Sequence, residues 1–250
     1  METDYNFHKS NSTYFSDLDI SRSALAARLM SPGVGLIGKE LDQEAIETCR
    51  KEGKPAPKKF PWMYIAVGSV YCSFKREIKP FERVDIQSKA VGWDQKWLYV
   101  LSFYLRPGRD GKKTLLATAL TKYVVKKGRL TIPPERVLRT SGFLPPRPEG
   151  AGATPAVSKG VSGEGTPAEG EGLTAAAGVD DSLVQEVLKI NADDVPGRAE
   201  LEEEKKANSG SWNAEEWTWE RIEQERLRGL KVVEGYSTLD VKLQEEWELQ

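Results

Sequence analysis

The residues of this chain whose types could support chemistry crowd into its first fourteen positions. Asp4, His8, Asn11, Ser12 and Thr13 offer a carboxylate, the only imidazole in 250 residues, an amide and two hydroxyls, all just before a stretch with helical periodicity. A carboxylate so placed can do acid–base or covalent work, or be no more than an exposed side chain on a fraying end. Its neighbours have structural uses as well. Asn11 or Ser12 suits the N-cap of the following helix, and a neutral His8 can tie the turn through backbone hydrogen bonds. Elsewhere such groups are sparse: Cys49 and Cys72 have no metal-binding spacing, so no metal site is expected and both thiols are expected reduced.

The elements that must position these groups follow from periodicity. In STYFSDLDISRSALAARLM, Tyr14, Leu18, Leu25 and Leu29 recur at helical spacing, and Ser31-Pro32-Gly33 is expected to end that helix. A second, weaker helix is expected over residues 40–51. From Trp62 the period becomes two. Tyr64, Ala66, Val70, Cys72 and Phe74 should share one strand face; Val84, Ile86 and Ala90 mark a second strand, Trp97, Tyr99, Leu101, Phe103 and Leu105 a third, and Leu115, Ala117, Ala119, Tyr123 and Val125 a fourth. Short connections at Asp94-Gln95 and from Pro107 to Gly111 make the strands an antiparallel meander. The expected fold class is α+β, a long helix packed on an antiparallel sheet of at least four strands.

Composition divides the chain. Residues 145–182 are nearly all Gly, Pro, Ala, Ser, Thr and Glu, which cannot bury enough apolar surface to offset ordering, so a disordered linker is expected there. Residues 1–144 hold 25 Lys and Arg against 15 Asp and Glu, whereas the remainder holds 11 against 23, so the overall charge of −2 conceals two opposed parts. The basic part lacks any recognition-helix, zinc-finger or RNA-binding signature, which argues against nucleic acid and suits a small polyanionic ligand. No apolar run approaches the roughly 20 residues that span a bilayer, and no secretory segment is present, so an intracellular, cytoplasmic protein is expected. Residues 183–250 form an acidic tail in which SLVQEVLKI and EEWTWERIEQERLRGLKVV read as amphipathic helices, the latter with an apolar stripe of Trp217, Ile222, Leu227 and Leu230 suited to docking.

The segment Asp4-Tyr5-Asn6-Phe7-His8-Lys9-Ser10-Asn11-Ser12-Thr13-Tyr14 resembles the Asp-x-x-Gly-His-x-Asn-Asn-x-x-Tyr signature of hot-dog-fold acyl-CoA thioesterases. Downstream, TYFSDLDISR and KPFERVDIQSKAVGWDQKWLYV resemble the branch of that superfamily typified by thioesterase superfamily member 6, in its fungal form. The resemblance implies a hot-dog domain over residues 1–144 whose usual first strand is missing. It implies Asp4 as the catalytic carboxylate, with His8, Asn11, Ser12 and Thr13 as the positioning and oxyanion region. The implied activity is hydrolysis of an acyl thioester of coenzyme A or of a carrier protein, without metal or cofactor, at a site shared by two subunits of a homodimer.

Further expectations attach to that resemblance. Trp93 and Trp97 flank a tight turn, where indoles ordinarily pack, and as an alternative they wall an acyl tunnel. Arg83, Lys89, Lys122, Lys126 and Lys127 are candidates to meet coenzyme A phosphates. Strand alternation leaves Ile65, Val67, Leu116 and Leu120 off the main apolar set, a surface to be covered by a second subunit or by the C-terminal helices with Trp217 and Leu227. Phe7 in place of glycine, Ser10 in place of asparagine and the missing strand keep open a second reading, a non-catalytic acyl-CoA-binding or interaction protein. They also keep open an N-terminal segment ahead of Met1 carrying a membrane anchor.

Overall fold

A computed structural model describes residues 2–108, 111–148 and 196–248. Most of the expected linker and all of SLVQEVLKI lie outside the described residues. Helix α1 spans Asn11–Lys51 and buries Tyr14, Leu18, Arg22, Ala26, Met30, Gly33 and Ile37, a stripe of four- and three-residue steps. Ala26 and Met30 therefore take the buried places expected of Leu25 and Leu29, which are only partly buried.

The break expected at Ser31-Pro32-Gly33 does not occur, and the expected second helix is the last part of α1. Pro32 removes one backbone donor from the helix, and packing compensates. A short helix α2, Pro134–Thr140, closes on this point: the Gly33 N–H donates to Ser141 Oγ at 2.9 Å, and a Cβ at residue 33 would lie 2.3 Å from the Val137 carbonyl oxygen. The residues that read as a helix stop are the seat of a neighbouring element.

Strands β1 (Met63–Phe74), β2 (Asp85–Trp93), β3 (Leu98–Pro107), β4 (Lys113–Lys127) and β5 (Leu130–Ile132) form one antiparallel sheet. Its order is β1-β4-β3-β2, with β5 paired to β4. The β2–β3 turn is locked by Asp94, whose buried carboxylate accepts the N–H groups of Lys96 and Trp97 at 2.7 and 2.6 Å and the Tyr99 hydroxyl at 3.1 Å. Helix α1 lies on one face of the sheet, where Leu98 and Val100 meet Ala26, Met30 and Ile37, and Tyr104, Ala117 and Ala119 meet Tyr14 and Leu18.

Three register shifts, between Val67 and Ser69, Ala90 and Gly92, and Tyr104 and Leu105, correct the expected faces. One extra residue moves every following side chain to the other face. On β1, Met63 and Ile65 face α1 before the irregularity and Val70 and Cys72 after it, so Ala66 lies on the opposite face from Val70. On β3 the helix-facing set includes Leu98, Val100 and Tyr104, while Trp97 and Tyr99 face outward. Ile65 and Leu116 thus belong to the helix-side core.

The C-terminal helices, α3 (Arg198–Ser209) and α4 (Trp219–Glu248), pack onto this unit. Leu120 and Val124, with Trp97 and Tyr99, are covered on the outer face by Leu230 and Val233 of α4. Of the expected stripe, Leu230 is buried and Ile222 packs against the helix-side core, whereas Trp217 and Leu227 are 36% and 41% exposed and Arg226 and Val233 are buried instead. Asn208 Nδ2 donates to the Ser141 carbonyl at 3.1 Å, Trp212 Nε1 to Gly142 at 2.9 Å, and Arg226 Nη1 to Trp93 at 2.8 Å. No helix of the described residues is long and apolar enough to cross a membrane.

Candidate active site

The turn ahead of α1 is organised by Asp4. Its Oδ1 accepts the backbone N–H groups of Asn6 and His8, both at 2.9 Å, while the Asp4 N–H donates to the His8 carbonyl at 2.8 Å. One carboxylate oxygen is thus held by two donors, and Oδ2 makes no hydrogen bond among the described residues. His8 is held in the turn through its own main-chain N–H and carbonyl.

The helix begins one residue earlier than the expected caps: Ser10 is the N-cap, and Asn11, Ser12 and Thr13 are its first three helical residues. Thr13 donates to the Ser10 carbonyl through both its N–H (3.0 Å) and its Oγ1 (2.8 Å), and the Ser10 and Ser12 hydroxyls pair at 2.9 Å. The N–H groups of Asn11 and Ser12 have no partner within the helix by virtue of their position. The first turn contains no acidic residue, so its partial positive charge is not neutralised from within and favours a developing anion.

Residues that the sequence reading did not single out hold this turn against the sheet. The Lys9 N–H donates to the carbonyl of Ile78 at 2.9 Å, and Ile78 itself is buried beside Tyr14, Leu18 and Tyr104. Lys9 is buried, with its ammonium 2.8 Å from Asp17 and 5.5 Å from the centre of the Tyr14 ring. The Tyr104 hydroxyl donates to the Tyr14 carbonyl. Burial raises the Tyr14 phenol above its ordinary pKa, with Cys72, Glu82 and Asp4 pushing the same way, and burial likewise raises Tyr104 and the Cys72 thiol. These three groups stay protonated at neutral pH. Alternating polarity marks strands, whereas a loop carbonyl such as that of Ile78 leaves no mark of its use in sequence.

The loop that carries Ile78 also carries Lys75, Arg76 and Lys79, which line an open cleft of about 620 Å³ with Phe81, Glu82 and Arg106. Glu82 and Arg106 pair there, and the Arg106 hydrogen bond draws the Glu82 carboxyl below its usual range. The cations expected for phosphates are dispersed. Lys127 is bound to Asp42 at 2.9 Å; Lys122 and Lys96 stack on Trp97 on the outer face; Lys89 lies over Phe103; Arg83 is 3.9 Å from Asp85. Lys126 shares the outer-face cluster and helps lower the pKa of Lys96, after burial.

Trp93 and Trp97 are separated by the sheet, Trp93 in the helix-side core and Trp97 under α4. They do not face one cavity. Trp93 shares a core cluster with Ala26 and Met30, which lie four to five turns of α1 from Asn11, about 22 to 28 Å by helical rise.

Phe7, which stands at the glycine of the signature, has φ 58° and is 76% exposed. A non-glycine residue in this left-handed region costs about 1–3 kcal/mol, and a β-branched one is worse. Phe7→Val is therefore expected to loosen the turn by about 1–2 kcal/mol, while Phe7→Gly should be neutral or tighten it, strain relief offsetting the added freedom of the unfolded chain. Hydrogen exchange of the Asn6 and His8 amides reads the difference; equal protection in the two variants would mean that φ at residue 7 carries no strain.

Residues 1–140 match the family described as thioesterase-like superfamily. A protein of Purpureocillium lilacinum named thioesterase lcsJ is 36% identical over 249 residues, covering 98% of this chain and 66% of its own, and the probable thioesterase atnL of Emericella nidulans is 39% identical over 161 residues, covering 58% and 51%. The chain spans about half to two thirds of the length of the curated relatives it matches. A hypothetical protein of Thermus thermophilus, known as a crystal structure, aligns over 56% of this chain and 88% of its own with 17% identity and a TM-score of 0.36. With the family match covering more than half of its length, the chain belongs to the thioesterase-like superfamily.

Proposed function

We propose that this protein hydrolyses an acyl thioester of coenzyme A or of a carrier protein, with Asp4 as its catalytic base or nucleophile. The observation that carries the reading is the state of the Asp4 carboxylate: one oxygen is fixed by two backbone donors and the other makes no hydrogen bond among the described residues, in the turn that leads into a helix whose first turn holds no acidic residue. In such hydrolysis the carboxylate takes a proton from the attacking water, or itself forms the acyl bond, while the thioester carbonyl oxygen gains negative charge. The N–H groups of Asn11 and Ser12 and the dipole of α1 are suited to that charge. Collapse of the tetrahedral intermediate expels the thiolate, which leaves as the thiol with the proton that Asp4 drew from the water or, in the covalent route, with one from solvent, water then hydrolysing the acyl–Asp4 anhydride to release the acid and restore the carboxylate. His8 acts by holding the Asp4 turn, and Lys75, Arg76 and Lys79, on the loop bonded to that turn, suit the phosphates of a coenzyme A or phosphopantetheine arm.

Asp4 is exposed in the single chain, which fits a site completed by a second subunit and favours homodimeric activity. A panel of acyl-CoA and acyl-carrier thioesters, assayed by release of free thiol over a range of protein concentrations, tests both parts. Turnover on at least one thioester, with specific activity falling on dilution in step with dissociation by light scattering, is expected. Absence of thiol release across the panel would leave acyl-thioester binding without hydrolysis, the reading favoured by Phe7 at the glycine position.

A further inference from the structure

A pocket of about 450 Å³ lies far from the Asp4 turn, where β2 meets α1 and the C-terminal segment. Its size falls among small-molecule sites, which span roughly 300–1,000 Å³. Leu29, Trp93 and Leu144 wall it on one side and Trp212, Trp217 and Ile222 on the other. The second group lies beyond residues 1–140, so the pocket is built by joining the shared domain to the segment that follows it. Leu29 is eighteen residues along α1 from Asn11, about 27 Å by helical rise, so within one chain this is a separate place from the candidate active site.

Two of the lining residues carry a polar group without an acceptor. Trp93 is 8% exposed, and its indole N–H has no hydrogen-bond partner; a buried donor left so costs about 1–3 kcal/mol. Lys89 is exposed at the rim and makes no ion pair among the described residues, only a contact with the Phe103 ring at 5.8 Å. The other two cations of the lining are occupied, Arg226 by Glu223 at 2.6 Å and Arg228 by Glu225 at 2.5 Å. An apolar chamber with one uncommitted cation selects its ligand by charge. A polyanion such as coenzyme A would lack counter-charges, and a plain hydrocarbon would leave Lys89 without a counter-charge.

We propose that this pocket binds an apolar monocarboxylic acid, in chemical class a fatty acid, with its chain among Trp93, Trp217 and Ile222 and its carboxylate toward Lys89. The site stands independently of the hydrolytic reading, since binding needs neither Asp4 nor turnover. Calorimetric titration of the full chain with dodecanoate and with dodecan-1-ol tests it. Saturable binding of one dodecanoate per chain is expected, unchanged in Asp4→Asn. Ile222→Trp, which fills the chamber, should abolish binding of both probes, and Trp217→Ala should weaken both. The surface substitution Lys89→Glu should weaken dodecanoate about tenfold or more and leave dodecan-1-ol unaffected. Absence of saturable binding up to the solubility limit, undiminished binding in Ile222→Trp, or equal effects of Lys89→Glu on acid and alcohol would each overturn the assignment.

Discussion

Asp4→Asn is expected to lower the turnover of the best thioester substrate by about 10² to 10⁴ while leaving the melting midpoint nearly unchanged. The substitution is informative because of what it keeps. An amide oxygen can accept the same two N–H groups, from Asn6 and His8, that now bind Oδ1 at 2.9 Å, so the turn survives. What it loses is Oδ2, the oxygen without a partner: an NH₂ group in its place neither takes a proton from water nor attacks a carbonyl carbon. Asp4→Ala is less clean, because it strips the turn of its acceptor and lowers both rate and local order. Steady-state thiol release by purified Asp4→Asn, with circular dichroism as the control, decides the matter; turnover equal to that of the natural protein would remove Asp4 from the chemistry.

The parts of this fold that were legible in the sequence are those in which local pattern and final packing agree. The helix ahead of the meander, the four long strands and their short turns follow from period and punctuation, and Asp4, His8 and Tyr14 stand at one place because they are neighbours in the chain. The failures share a cause in long-range contact. Pro32-Gly33 reads as a stop only until Ser141 and the Val137 carbonyl are brought against it by a segment more than a hundred residues away. Strict alternation assigned Ala66 and Val70 to one face, and the irregularity between Val67 and Ser69, invisible to a period of two, puts them on opposite faces. The outer face of β3 looked like the core because Trp97, Tyr99, Leu101 and Phe103 are large. Part of that face is indeed buried, but under α4 and not under α1. In the site, Lys9 and Ile78 escaped notice because the one works through a buried ion pair and the other through a carbonyl that every residue possesses.

The docking of α4 supplies the second large effect, at Gly229. On helix propensity alone Gly229→Ala should stabilise the protein by up to about 1 kcal/mol, since glycine is the poorest ordinary residue in a helix interior. The contact predicts the opposite sign. Gly229 rests against β2 at its irregular point, where an added Cβ would lie 1.6 Å from the Val91 carbonyl oxygen and 2.5 Å from its carbon. That obstacle is backbone, unable to rotate away as a side chain would, so the helix must lift. Lifting it separates Leu230 and Val233 from Trp97, Tyr99, Leu120 and Val124 and strains the Arg226 bond to the Trp93 carbonyl. Overpacking of this kind costs about 1–3 kcal/mol, and more where no relaxation is open; the expected result is a loss of about 3 kcal/mol or more for alanine, and valine should be worse. Urea unfolding followed by tryptophan fluorescence measures it, with Gly235→Ala as the control, because a Cβ at residue 235 of the same helix meets nothing within 4 Å. Gly235→Ala should raise the midpoint and Gly229→Ala lower it; a rise in both would mean that α4 does not press on β2.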